Sequence, residues 1–293
     1  MEKGRSRNTL AAYRRDLNAY VEFLSGRAVG LADVAERTIE DYLAFQRASG
    51  KAPASVARSL VAVRALHRFC EDEGLTTTNP AADVERPRVP SGLPKALSED
   101  EIASLLASVV GEDALARRDR AILEVLYGCG LRVGELVGLS LADLDLDAHF
   151  VRAFGKGAKE RLVPIGRLAT EALRSWLTPS GRSVLVPARW ARRTDSDAVF
   201  LNARGGRISR QGAWGVVRHY GDRVGLGDRL TPHVLRHSCA THMLDHGADI
   251  RIVQELLGHA SISTTQVYTK VSTERLRRVY DAAHPRAHKR TSG

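Results

Sequence analysis

Four segments of the chain hold side chains that could handle a phosphate: GLRVGEL, GKGAKER, TPHVLRHSCATH and LGHASISTTQVYT. In the third, Thr231 is placed to cap a helix and Pro232 to open it, and His233 and Arg236 then stand one turn apart on one face. Such a pair can grip an anion, the guanidinium as a two-pronged donor and the imidazole as a proton carrier. Taken alone, it reads as a helix that happens to be rich in histidine. Arg132 follows Gly130 at the start of another helix, where unsatisfied backbone N–H groups attract anions, and Glu135 three residues on is placed to orient it. Lys156 lies between Gly155 and Gly157, where a long side chain can swing into a ligand, although most turn lysines are simply solvated. His259 follows Gly258 at a helix stop, and Tyr268 stands nine residues beyond in a run rich in serine and threonine. A lone tyrosine there is usually a half-buried aromatic.

A metal centre is the competing chemistry. His233 with His237 and His242 with His246 have i,i+4 spacing, and Cys239 lies between the pairs. The glutamate of HExxH is missing and no acidic cluster completes a ligand set, so no metal is expected. With no Walker-type phosphate loop either, no cofactor is expected. Cys70, Cys129 and Cys239 are too few and too scattered for a disulfide framework, which points to a reducing cytoplasm.

The charge balance favours a polyanion. With 44 Lys+Arg against 34 Asp+Glu among 293 residues the net charge is +10, which suits nucleic acid or an acidic membrane surface. The arginines are spread through RRDL, LARRDR, GKGAKER, ARWARR, NARGGRISR and TERLRR, between apolar residues, and only HPRAHKR resembles a basic tail. No apolar run approaches the roughly 18 residues of a membrane span, and MEKGRSRNTL has no signal-peptide core. Secreted, membrane, collagenous and disordered readings are excluded.

Behind these segments stand mostly helices. Leu10, Tyr13, Leu17, Tyr20 and Leu24 recur at helical spacing with Thr9 as N-cap. A second helix is expected from about Thr38 to Ser49, and a third after Pro53 with Val56, Leu60, Val63, Leu66 and Phe69 on one face. A short fourth is expected from Asn79-Pro80. RPRVPSGLPKALS, with three prolines and a glycine, reads as an inter-domain linker. Beyond it, Ser98 and Glu101 form a capping box, a helix runs from Ala114 to Tyr127, and LRVGELVGL resumes helix after Gly128-Cys129-Gly130. FVRAF and ERLVPI flank a glycine turn as a hairpin, to which AVFLN at Ala198 to Asn202 adds a third strand. Helices follow from Ser209, from Thr231 to about His246 and from Asp249 to Leu257. The expected fold is mainly α: an all-helical N-terminal domain (1–88), a linker (89–96) and a mostly helical C-terminal domain with a small antiparallel sheet (97–293).

Read together, the four segments closely resemble the tyrosine recombinases of the phage integrase family, above all the XerC/XerD chromosome-dimer resolvases. GLRVGEL carries the family's first arginine as Arg132, GKGAKERLVP its lysine as Lys156, and His233-Val-Leu-Arg236 its HxxR box. LGHASISTTQVYT carries His259 and the nucleophile Tyr268. RNTLAAYRRDL resembles the family's SAM-like, DNA-clamping core-binding domain, and VSTERLRRVYDAAHPRA its C-terminal helix and tail, so the resemblance spans nearly the whole chain. VSTERLR tips it towards XerD, while VYDAAHPRA is as typical of XerC.

The resemblance implies cleavage and rejoining of DNA through a 3′-phosphotyrosine, without metal or ATP. Arg132 and Arg236 would hold the non-bridging oxygens of the pentacovalent transition state, with His259 donating another hydrogen bond. Tyr268, a phenol with an ordinary pKa of about 10, would need His233 as base or a cationic pocket, and Lys156 would protonate the leaving 5′ oxygen. Implied partners are double-stranded DNA with a dif-like site, a paired XerC/XerD-type recombinase in a tetramer, and a DNA translocase as activator. In such a tetramer Leu276, Val279 and Tyr280 would dock the C-terminal helix on a neighbour. Three rivals stand beside this reading. A phage or transposon integrase would often carry an arm-binding domain ahead of the clamping helices, a type IB topoisomerase would relax supercoils alone, and a non-catalytic architectural protein would tolerate loss of Tyr268. TPSGRSVLVPARWARRTDS (Thr178 to Ser196) suggests a DNA contact or a disordered insert.

Overall fold

The computed structural model describes residues 7–87, 95–155, 160–258 and 270–287, in two units, Met1–Leu93 and Pro94–Gly293. In the first, the helical spacing yields α1 (Arg7–Ser25), α2 (Glu36–Ala48) and α3 (Pro53–Asp72). α3 packs against both others, over a core of Tyr20, Leu24, Ile39, Leu43, Val56, Leu60 and Val63. Two long-range links tie its helices: Tyr42 donates to the Asp16 carbonyl at 3.2 Å, and Arg58 forks onto the Asp16 carboxylate at 2.8 and 3.1 Å. Burial lowers the pKa of His67, which keeps it neutral beside the Tyr20 hydroxyl at 2.9 Å.

Several local expectations change here. α1 is already helical at Arg7, so Thr9 lies inside it. The buried stripe of α3 continues through His67 and Cys70, which turns Phe69 outward to 56% exposure. Asn79-Pro80 starts no helix. The Asn79 side chain accepts the Ala81 N–H at 3.1 Å, and Arg64 donates to the carbonyls of Ala81 and Val84, which ties the segment down in a turn. Most of the proline-rich linker, residues 88–94, lies outside the described residues.

In the second unit the Ser98–Glu101 capping box closes at 2.8 and 3.1 Å and opens α4 (Glu99–Ala107). α5 (Ala114–Gly128) follows, nearly all buried, then α6 (Val133–Gly138). The antiparallel sheet runs β1 (Leu144–Asp145), β2 (Phe150–Phe154), β3 (Glu160–Pro164), with Val151 opposite Val163 and Ala153 opposite Arg161. Helices α7 (Arg167–Trp176), α8 (Arg210–Arg223), α9 (Pro232–Asp245), α10 (Ile250–Leu257) and α11 (Lys270–Ala283) complete it. α5 is the axle, packed against α7 and α9, with Ile122, Leu126, Leu173, Trp176 and Leu235 fully buried around it. No helix of the described residues is long and apolar enough to cross a membrane.

AVFLN is not the third strand. It threads the core and gives its backbone to single partners: Val199 N–H to Leu139, the Val199 carbonyl to the Trp176 indole, and Phe200 O to Ile208. Nor is 178–196 a disordered insert. It turns through two short 3₁₀ segments and is laced by Arg182, which donates to the carbonyls of Ala198 (2.9 Å) and Ser196 (2.6 Å).

Leu276 and Tyr280 of α11, expected on a neighbour, are buried in the chain's own core. Tyr280 donates to Gly128 O at 3.0 Å, and Arg286 pairs with the buried Glu124 carboxylate. Gly166 admits this segment, since a Cβ there would come within 2.6 Å of the Tyr280 hydroxyl and 2.7 Å of Arg286 O. Its φ of −67° and ψ of 160° suit any residue, so the conflict is purely steric. Gly166→Ala should therefore lower stability by about 1–3 kcal/mol in urea unfolding; an unchanged or raised midpoint would mean that α11 sits less closely than described.

Candidate active site

The turn from α5 to α6 needs a residue at Gly130 with φ of 55°. A Cβ there would also come within 2.7 Å of Leu257 and 3.3 Å of Cys239 Sγ. This turn makes Arg132 the N-cap of α6, with Glu135 in its first turn accepting the Arg132 backbone N–H at 2.9 Å. The same carboxylate takes the Arg132 guanidinium at 2.8 Å. Arg132 Nη2 donates to Gly258 O at 3.0 Å, the residue that ends α10 in a left-handed conformation.

Arg236, one turn into α9, is held from the other side. Its Nη1 donates to Gly130 O at 2.6 Å, its Nη2 to Leu257 O, and Glu135 Oε2 lies 3.9 Å away. A third guanidinium, Arg161 of β3, forks onto Glu135 at 2.8 and 2.9 Å and donates through Nε to Leu256 O at 2.8 Å. One carboxylate thus lies among three arginines. Glu135, Arg161 and Arg236 have side chains only 4, 6 and 7% exposed, whereas Arg132 is 45% exposed. Across Gly134, the first residue of α8, Arg210, adds an exposed guanidinium.

The electrostatics leave a surplus of positive charge. Burial would raise the Glu135 carboxyl, but the hydrogen bonds and charge of Arg161, then the hydrogen bonds of Arg132, outweigh it and hold it below the ordinary value. Burial, with the charge of Arg132 next, pushes Arg236 down to about 10, so it stays protonated at neutral pH. Three guanidiniums against one carboxylate make a net +2 site, with Arg132 half open to solvent. Oriented, preformed donors of this kind suit an oxyanion whose charge grows during reaction.

Of the predicted site residues, the structure brings Arg132, Glu135 and Arg236 into one cluster. His233 is in the first turn of α9 with its ring exposed, while Arg236 is buried, so the two occupy different surroundings. Lys156, His259 and Tyr268 lie outside the described residues; the adjoining elements end at Phe154, Glu160, Gly258 and Lys270. Arg161 was missed, although its place beside Val163 on the inward face of ERLVP was a readable signal. The second histidine pair serves packing. His242 bridges Tyr127 (2.9 Å) and Leu97 O (2.8 Å), and His246 bridges Ala283 O (2.9 Å) and Glu99 (3.0 Å). Among the described residues no group of side chains could hold a metal ion.

Comparison with known proteins gives the family. Residues 95–275 match the phage integrase family and residues 1–74 its N-terminal SAM-like domain. Tyrosine recombinase XerD of Halalkalibacterium halodurans is 44% identical over 98% of this chain and 95% of its own. Tyrosine recombinase XerD of Mycobacterium tuberculosis (strain CDC 1551 / Oshkosh) is 48% identical over 98% and 94%. The crystal structure of XerH site-specific recombinase bound to a palindromic difH substrate shares the fold, with a TM-score of 0.69, 23% identity and coverage of 92% of this chain and 78% of that one. The chain belongs to the phage integrase family. It is a tyrosine recombinase of the Xer type, an enzyme that cleaves and rejoins DNA.

The lowered Glu135 pKa has a consequence for stability. A carboxyl with a depressed folded value contributes stability that is fully present above its ordinary value of 4.5 and is lost as pH falls through the folded value. Urea unfolding between about pH 5 and pH 3 should therefore show a steeper acid loss for the native chain than for Glu135→Gln. Parallel acid limbs would mean that Glu135 is not held ionised by its arginines.

Proposed function

We propose that this recombinase resolves chromosome dimers at a dif-like site during cell division, acting on the XerD side of a XerC/XerD-type pair. The observation that carries the chemistry is the convergence of Arg132 and Arg236 around buried Glu135. The XerD name of the relatives reported above supports the side of the pair. Residues 1–88 would clamp the duplex and 97–293 carry the reaction, joined through 89–96. The working form is a tetramer on DNA in the cytoplasm, associated with the nucleoid, with a DNA translocase as activator.

In this reading the scissile phosphate binds between Arg132 and Arg236, whose donors remain partly unused by described residues. Tyr268 attacks phosphorus as its proton passes to His233, and the 5′ oxygen leaves with a proton from Lys156. His259 supports the transition state from beyond Gly258. The 3′-phosphotyrosine keeps the diester energy, so a second 5′-hydroxyl can attack and reseal.

Covalent trapping tests this directly. On a nicked duplex carrying the chromosome-dimer-resolution site, run with and without a partner recombinase, the short 5′-hydroxyl fragment diffuses away and a protein–DNA adduct should survive denaturing electrophoresis. Tyr268→Phe should abolish it, and persistence of the adduct would remove Tyr268 from its role. Arg236→Lys should slow adduct formation by about 10²–10³, because an ammonium cannot reproduce the fork; near-native cleavage would contradict the phosphate clamp. Binding should weaken with salt, log K falling about 0.9 per phosphate contact per log unit. A flat titration would mean that the basic surface is not the DNA footprint.

A further inference from the structure

We infer that Arg161 is a positioning residue for this reaction: its buried guanidinium occupies the Glu135 carboxylate, so that Arg132 and Arg236 keep their charge for the phosphate. The inference rests on the reading of those two arginines as phosphate ligands and concerns a residue that itself touches no substrate. Arg161 is 5% exposed, and its bonds all turn inward, two to Glu135 and one to Leu256 O.

The charge arithmetic gives the role. With Arg161 the cluster is three cations to one anion. Without it, Glu135 faces only Arg132 at 2.8 Å and Arg236 at 3.9 Å, and the net charge drops from +2 to +1. At that range an unshared carboxylate competes with the incoming phosphate for both guanidiniums. Arg161 also fixes the place where the donors are anchored. The carbonyls of Leu257 and Gly258 hold Arg236 and Arg132, and the residue before them, Leu256, is bonded to Arg161. Gly258 makes room for this, since a Cβ there would lie 3.1 Å from Arg161 Cδ.

Stability alone gives no reason for the arrangement. Arg161 lies on the strand face that also buries Val163, where an apolar side chain would serve a core. Buried ion pairs are often no more stabilising than the apolar residues that could replace them. A buried site with excess positive charge is costly in isolation and favourable once an anion arrives.

The test compares the native chain, Arg161→Met and Arg161→Met/Glu135→Gln. Two quantities are read: adduct formation on the nicked duplex, and the rise in Tm caused by orthovanadate, a probe for the phosphate position. Arg161→Met should cleave about 100-fold more slowly and lose the vanadate shift. Removing the stranded carboxylate as well should recover about tenfold of the cleavage rate and restore the shift. A double variant no faster than Arg161→Met and without the shift would overturn the inference, because the stranded carboxylate would then not be what competes with the phosphate for Arg132 and Arg236. Should Arg161→Met not fold, Arg161→Lys keeps the charge without the fork; it should retain most of the vanadate shift, and loss of the shift overturns the inference. Failure of the underlying reading looks different: Arg236→Ala would keep the full native vanadate shift.

Discussion

A carboxylate buried among guanidiniums is tolerable only if every oxygen is used, and Glu135 meets that condition with four close donors from Arg132 and Arg161. Much of the catalytic unit can be understood as the means of assembling this cluster. Arg132 and Glu135 come from one helical turn, Arg161 from β3 and Arg236 from α9. No local sequence signal brings those elements together; the core around α5 does. Breaking one buried ion pair while leaving its partner typically costs about 3–5 kcal/mol because the remaining charge is stranded, so the members of the cluster are kept together even where the cluster itself adds little net stability.

The backbone takes part as much as the side chains. Gly130 and Gly258 both adopt positive φ, at the end of α5 and the end of α10, and each turns a carbonyl onto an arginine of the cluster. Helix C-termini carry partial negative charge, so Leu256, Leu257 and Gly258 act together as a neutral counterweight to three cations without cancelling their formal charge. The arginines are thereby fixed before any DNA arrives, which is the sense in which electrostatic preorganisation lowers a barrier.

How far the sequence spoke depended on whether a feature was local. The capping box at Ser98, the caps Ser209, Thr231 and Asp249, and the hairpin of FVRAF with ERLVPI are set by neighbours in the chain and were legible. Arg132, Glu135 and Arg236 were legible because their surroundings GLRVGEL and HVLR are characteristic of the family. The alternation of ERLVP puts Arg161 on the face of Val163, but the partners that bury its charge, in α6 and α10, lie far away in the chain and could not be read locally. AVFLN failed for the same reason, because an apolar, β-prone run cannot reveal that its backbone partners are single and scattered. Asn79-Pro80 resembled a helix start, but Arg64 ties the segment down in a turn.

The most direct test of the account is a crystal structure of the protein on nicked duplex DNA with orthovanadate at the cleavage position. Arg132 and Arg236 should each place N–H donors about 3 Å from the equatorial vanadate oxygens, while Glu135 stays forked with Arg161. Vanadate bound elsewhere, or Glu135 turned away from Arg161 with Arg236 still confined to the carbonyls of Gly130 and Leu257, would contradict it.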